Sequence, residues 1–188
     1  MRRLTPIAIL LALAAGCGED RTDPPDVTTP AAPAGTAAAS YPDQGVTFAA
    51  PGGWRVRPGQ PPLVATVQSG TATIAIWRYP RSERLPRTRA DLDAAVHALT
   101  GASKTRDPSF EALKSSRLKV SGKPAVQLRG RETVAGQPRL VRSTHVYAHG
   151  AEVVVDAFSD AASFGRVDEQ AFQPLLRSLR LSAPPGGA

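Results

Sequence analysis

The chain has 188 residues, 23 Lys and Arg against 16 Asp and Glu, and a formal net charge of +7. Its single cysteine excludes an intramolecular disulfide, so the fold must rest on its own core. No apolar stretch reaches the roughly 20 residues a helix needs to cross a bilayer, which argues against a spanning helix.

The first element is a leader. Arg2 and Arg3 open it, an apolar stretch follows from Ile7 to Ala15, and Ala14-Ala15-Gly16-Cys17 closes it. This is the layout of a secretory signal over residues 1–16. Small residues followed by Cys17 resemble the lipobox of bacterial lipoproteins. The resemblance implies cleavage before Cys17 and a diacylglyceryl group on its sulfur. The product would then be anchored to the cell membrane and face the extracytoplasmic side. Two acyl chains, at about 0.8 kcal/mol per buried methylene, hold stably where one is reversible. The alternative for the same residues is an ordinary secretory signal cut near Gly16, leaving a free thiol.

Residues 17–40 read as a disordered Pro, Ala and Thr linker. After Cys17 this stretch has four prolines and no large apolar residue except Val27. Such a segment cannot bury a core; as a flexible chain it would reach roughly 25–30 Å. Residues 41–182 have the size of one globular domain, and residues 183–188 read as a frayed tail. With the three arginines and four acids of the first 40 residues set aside, the remainder keeps 20 basic against 12 acidic side chains. That surplus draws the domain towards an anionic lipid surface or wall polymer. Nucleic acid, the usual partner of such charge, is not met by an exported protein.

Within the domain, Val46–Phe48, Leu63–Val67 and Thr71–Tyr79 read as strands. In the last, Ala72, Ile74 and Ile76 alternate with Ala75, Trp77 and Tyr79, so both faces want cover. Thr88 to Thr100 reads as a helix capped by Thr88 and Asp91, with Leu92, Ala95, Val96 and Leu99 in one stripe and Gly101 as its stop. Strands follow at Ser116–Val120, Ala125–Val134, Leu140–Tyr147 and Glu152–Phe158. Ser121-Gly122, Ala135-Gly136 and His149-Gly150 lie between them as hairpin turns, which force antiparallel pairing. A last helix should carry Phe172, Leu175, Leu176 and Leu179, starting anywhere from Ala161 to Gln173, with Pro174 kinking or delaying it. The fold class is α+β. The expected architecture is an α/β/α sandwich: a central antiparallel sheet of about six or seven strands with a helix on each face.

Three stretches resemble a known family. Val46-Thr47-Phe48 followed by Pro51-Gly52-Gly53-Trp54, the turn Val120-Ser121-Gly122-Lys123-Pro124-Ala125, and the close from Phe172 through Leu181 are similar to the PsbP-like superfamily. Actinobacterial surface lipoproteins of the LpqN type belong to it. The resemblance covers about residues 44–182. It implies the same sandwich, with Trp54 as a core plug, and mostly binding or accessory roles; it implies no functional residues.

Catalytic and metal motifs are weak. His145 and His149 are spaced H-x-x-x-H, but on a strand their α-carbons lie about 13 Å apart, too far to share a metal easily. His97 reads as a surface helix residue. Ser116-Arg117-Leu118-Lys119 matches S-x-x-K without its companion motifs, and Ser103-Lys104-Thr105 lacks the upstream glycines of a phosphate loop. Glu152 and Asp156 share strand parity and read as a solvated face. Arg78, Arg81, Arg84, Arg87 and Arg89 form the remaining candidate, an anionic contact surface at a helix N-terminus. No catalytic residue, metal or cofactor is assigned. The expected function is a lipid-anchored binding or accessory domain of the bacterial envelope, not an enzyme, with an envelope protein, anionic lipid or wall polymer as partner. The alternatives are a carrier or accessory factor for envelope lipids or glycans, which a large apolar cavity between sheet and helix would favour, and a cryptic hydrolase, which a deep cleft with converging Ser, His and carboxylate groups would favour.

Overall fold

A computed structural model describes residues 27–185. The leader, Cys17 and its lipidation, and the first part of the linker lie outside the described residues, as does the end of the tail. Strand β1 spans Thr36–Tyr41, β2 Val46–Pro51, β3 Arg55–Pro58, β4 Leu63–Ser69 and β5 Ala72–Pro80. Helix α1 covers Arg89–Arg106. Then come β6 (Glu111–Val120), β7 (Lys123–Val134), β8 (Gln137–Ala148) and β9 (Ala151–Ser159). The chain closes with α2 (Phe164–Val167), a π turn over Asp168–Phe172, α3 (Gln173–Ser178) and β10 (Arg180–Leu181).

Seven strands form one sheet in the order β3-β4-β5-β9-β8-β7-β6, every neighbouring pair antiparallel. The turns responsible are local. Ser121, Ala135 and His149 each have φ near +50° and are each followed by a glycine at positive φ, the backbone of two-residue hairpins whose twist matches the strands. A second sheet, β1-β2-β10, has three strands.

The sheet is sandwiched, but not by one helix on each face. Alternation sends Ile74, Ile76, Val146, Val153 and Val155 into the main core, fully buried. The small sheet covers this face through Val46 and Phe48, together with the broken C-terminal helical segment through Phe172, Leu175 and Leu179. Trp54 is buried in the same core. The opposite face meets α1 only over part of its width. Leu92 packs with Val126 and Tyr147, flanked by Ala95, Val96 and Leu99. The rest of that face is left open as a cleft.

Two expectations need correcting. The stretch read as linker is folded from Thr28 onward. Thr71 N–H donates to Thr28 O (3.0 Å), Gly52 N–H to Gly35 O (2.7 Å), and Trp54 Nε1 to Ala31 O (3.1 Å). β1 then pairs with β2 along its whole length. Its Ala and Ser side chains bury little. It is held by backbone hydrogen bonds, which need no apolar bulk and leave no hydrophobic signal in the sequence.

Gly101 does not end α1. A mid-helix glycine costs about 1 kcal/mol against alanine, but it stops a helix only by turning left-handed, and this one does not. The helix runs on to Arg106, with the Thr88 and Asp91 capping box in place at its start. The start of the last helix at Phe164 falls within the expected range, and Pro174 lies in the first turn of α3, where the helical segment resumes after a π turn. Its missing N–H falls just after the π turn, where Gln173 N–H reaches back five residues to Asp168 O. The wider turn absorbs the proline and lets the helix begin at Phe164. Asp160 anchors that start, accepting from Ser163 N–H (2.9 Å) and Thr71 Oγ1 (2.6 Å). The Thr71 hydrogen bond, helped by those from Ser163, draws the Asp160 carboxyl down to about 2.

A candidate ligand cleft beneath helix α1

The cleft has a volume of about 750 Å³. Its floor is the α1 side of β5, β9 and β8. Its roof is the second half of α1, with Leu99, Ala102, Ser103 and Arg106 facing it. That roof exists because α1 continues past Gly101. Phe110 closes one end. A Cβ on Gly130 would come within 2.7 Å of the Phe110 ring, so only glycine at this point of β7 admits the aromatic side chain.

The floor is built by hairpin register. The His149-Gly150 turn sets Tyr147 opposite Glu152, His145 opposite Val154 and Ser143 opposite Asp156. On the far side of β9, Trp77 lies opposite Val154 and Tyr79 opposite Glu152. Trp77, Tyr79 and Phe158 give the floor aromatic surface; Ser143, His145, Glu152 and Asp156 give it polarity.

The polar groups form one chain of hydrogen bonds. Ser143 Oγ is 2.9 Å from His145 Nε2, and His145 Nδ1 is 2.7 Å from Glu152 Oε1. Glu152 Oε2 accepts from Arg81 Nε at 3.0 Å and is ion-paired with the same guanidinium. Burial opposes ionisation of Glu152, but the hydrogen bonds from His145 and Arg81 outweigh it and hold the carboxyl below its usual value. Asp156 behaves the other way. Burial pushes its carboxyl up, with Ser143 offsetting only part, and its Oδ1 is shielded from solvent with no hydrogen-bond partner. At the rim Glu132 is raised by burial too, and it faces Arg106 Nη2 at 3.5 Å.

Glu152 and Asp156 are therefore not a solvated face. The parity reading was right, but the face points into the cleft. His145 and His149 do not meet: His145 is tied to Glu152, while His149 sits exposed in the hairpin turn. His97 is exposed on α1. Among the described residues no group of three or more His, Cys, Asp or Glu is placed to hold a metal.

The five arginines do not form one surface. Arg78 belongs to the core-facing register of β5. It is 8% exposed, its guanidinium donates to His149 O at 3.1 Å, and burial lowers its pKa. Arg81 turns to Glu152, and Arg84 pairs with Asp91 at 2.8 Å. Of the five, Arg87 and Arg89 are exposed and have no ion-pair partner among the described residues.

No protein-family description matches the chain, and no curated protein does. Among the described residues no helix is long and apolar enough to cross a membrane. Solved structures do match. The cyanobacterial PsbP (CyanoP) from Synechocystis sp. PCC 6803 superposes with a TM-score of 0.61 at 13% identity, over 79% of this chain and 94% of that one. LpqN, described as involved in cell envelope biogenesis of Mycobacterium tuberculosis, superposes with a TM-score of 0.58 at 16% identity, over 78% of this chain and 90% of that one. At these identities the likeness is one of architecture, and the architecture of this chain is that of a PsbP-like domain.

Proposed function

We propose that the chain is a non-catalytic accessory domain of the bacterial envelope. It is anchored through a diacylglyceryl group on Cys17 and holds an amphipathic envelope molecule, a lipid or a glycan, in the cleft beneath α1. The observation that carries this reading is the cleft: aromatic surface from Trp77, Tyr79 and Phe158 beside a fixed row of hydrogen-bonding groups. Ligand sites combine apolar walls with converging polar groups that fix orientation, and this cleft has both in similar measure. Asp156 lines the same floor, with a carboxyl that burial holds towards its neutral form. The fold shared with LpqN, a protein of envelope biogenesis, and the leader ending at Cys17 support the location. Of the readings the sequence allowed, the structure moves weight from a bare docking surface to a carrier or accessory factor.

The hydrolase reading has one observation in its favour, the Ser143–His145–Glu152 chain of bonds, which has the order of a serine triad. Its surroundings argue against it. Ser143 sits in the middle of β8, between β7 and β9, where the backbone amides are paired in ladders on both sides. Amides so engaged are not free to stabilise an oxyanion. The chain orients polar groups for binding.

The test is to crosslink the protein in intact cells, purify it in detergent, and determine its mass and cargo. A lipidated Cys17 as the new N-terminus and a co-purifying lipid or glycan are expected. An unmodified thiol contradicts the anchor, and a bare chain contradicts the carrier role.

A further inference from the structure

A second recess lies on the opposite face of the sheet, where β6, β7 and β8 meet the C-terminal helical segment. It is small, about 150 Å³, and lined by Lys114, Ser116, Gln127, Arg129 and Arg142. The ladders pair Lys114 with Arg129 and Arg129 with Arg142. Three cationic side chains thus stand in one row across three adjacent strands. Like charges directly opposite each other destabilise a sheet, so this row needs an explanation.

The protein answers it with a single carboxylate. Asp168 Oδ2 accepts from Arg142 Nη2 at 2.7 Å, and Gln127 Oε1 accepts from Arg142 Nη1 at 2.9 Å. Gln127 is held in that orientation by donating to Thr144 Oγ1 at 2.8 Å. Among the described residues Arg129 has no ion-pair partner; its guanidinium lies over the Phe164 ring, 5.2 Å from the centroid. The Nε groups of Arg129 and Arg142 are both shielded from solvent and without a hydrogen-bond partner. Two positioned guanidinium groups, of which Arg142 alone is ion-paired, a lysine beside them and a serine hydroxyl at the edge make a cationic hollow.

We propose that this recess binds a phosphate group through Lys114, Arg129, Arg142 and Ser116. Guanidinium forks match phosphate oxygens in geometry, and the charge-assisted bonds so formed are the strong ones. The hollow has room for one tetrahedral anion and not for a long ligand. A bound phosphate also removes the repulsion along the row. The phosphate could be free or the headgroup of a phospholipid, and either source presents the same oxygens to the same donors. The site is separate from the cleft beneath α1 and does not depend on its reading.

The test uses the purified chain at constant ionic strength, titrated with inorganic phosphate and, separately, with glycerophosphoglycerol, the soluble headgroup of phosphatidylglycerol. At least one probe binds saturably and raises Tm. Lys114→Gln with Arg129→Gln weakens that binding at least tenfold and abolishes the Tm rise, while Tm without ligand is unchanged or higher. Lys114→Gln alone, at an exposed position, weakens binding severalfold in a chain whose folding is not at issue. Preference for the first probe assigns free phosphate, and preference for the second assigns a headgroup; either supports the site. Absence of binding by both probes, or undiminished binding by the variants, overturns it.

Discussion

His145 Nδ1 lies 2.7 Å from Glu152 Oε1, although the two residues sit on neighbouring strands and are not direct ladder partners. The contact runs diagonally along the cleft floor, and Arg81 closes it from the rim. A carboxylate this enclosed, with only 6% of its side chain exposed, remains charged because two donors hold it. The pair fixes how the floor presents its polar edge.

Glu152→Gln tests that role. Gln leaves one neutral amide oxygen for two donors, Arg81 and His145. Breaking a buried pair costs about 3–5 kcal/mol, and less here because Arg81 is partly exposed. A fall in Tm is expected at neutral pH. Because the folded carboxyl titrates below its unfolded value near 4.5, its contribution is present above that value and is lost as pH falls through the folded pKa. The variant and the wild type therefore converge in acid. Equal stability at pH 7 would contradict this.

Asp156→Asn should do the opposite. Burial raises the folded pKa above the ordinary 3.8. Between the two values the folded state keeps a proton that the unfolded state has released, so stability falls as pH rises through that window. The amide removes this penalty. Tm is expected to rise by about 2–5 °C at pH 7 and to stay near wild type at pH 3. Glu132 and Asp168, both raised by burial, retain part of the slope. A lower Tm at pH 7 would show that the ionised carboxylate is stabilising.

Amide hydrogen exchange tests the strand within the apparent spacer. Alternate amides of Ala37–Tyr41, paired to β2, should exchange at least tenfold more slowly than an unstructured chain. Trp54→Phe, which removes the bond to Ala31 O, should cost about 1 kcal/mol and loosen the segment. Exchange at random-coil rates would return the stretch to the linker.

Ser143 should resist fluorophosphonate labelling, since a serine without free oxyanion donors gains little from a neighbouring imidazole. Mass spectrometry after prolonged exposure is expected to find it unmodified. Stoichiometric labelling, lost in His145→Ala, would restore the hydrolase reading.

Much of the main sheet was legible because its signals are local. Ser121-Gly122, Ala135-Gly136 and His149-Gly150 announce hairpins on their own. The His149-Gly150 turn also carried the site. Counting outward from it places Ser143 opposite Asp156 and Tyr147 opposite Glu152, so the polar floor could have been assembled from sequence by ladder arithmetic. What the strands alone could not reveal is which face α1 leaves open, because that depends on how far the helix runs and where it docks. β1 was hidden because an edge strand of Ala and Ser satisfies its backbone without burying bulk. Arg78 was misread because it was grouped with the loop arginines that follow it, whereas strand alternation turns it to the core.

The central claim is that the cleft beneath α1 is occupied in the cell. Ala102 is exposed on α1 and faces the cleft, so Ala102→Trp fills the space without disturbing the core. Native mass spectrometry of wild type and variant, each purified in detergent from its own membranes, is the direct measurement. The account predicts a discrete bound lipid or glycan on the wild type and its loss, at least tenfold, in the variant. An equal load on both, or none on the wild type, would contradict it.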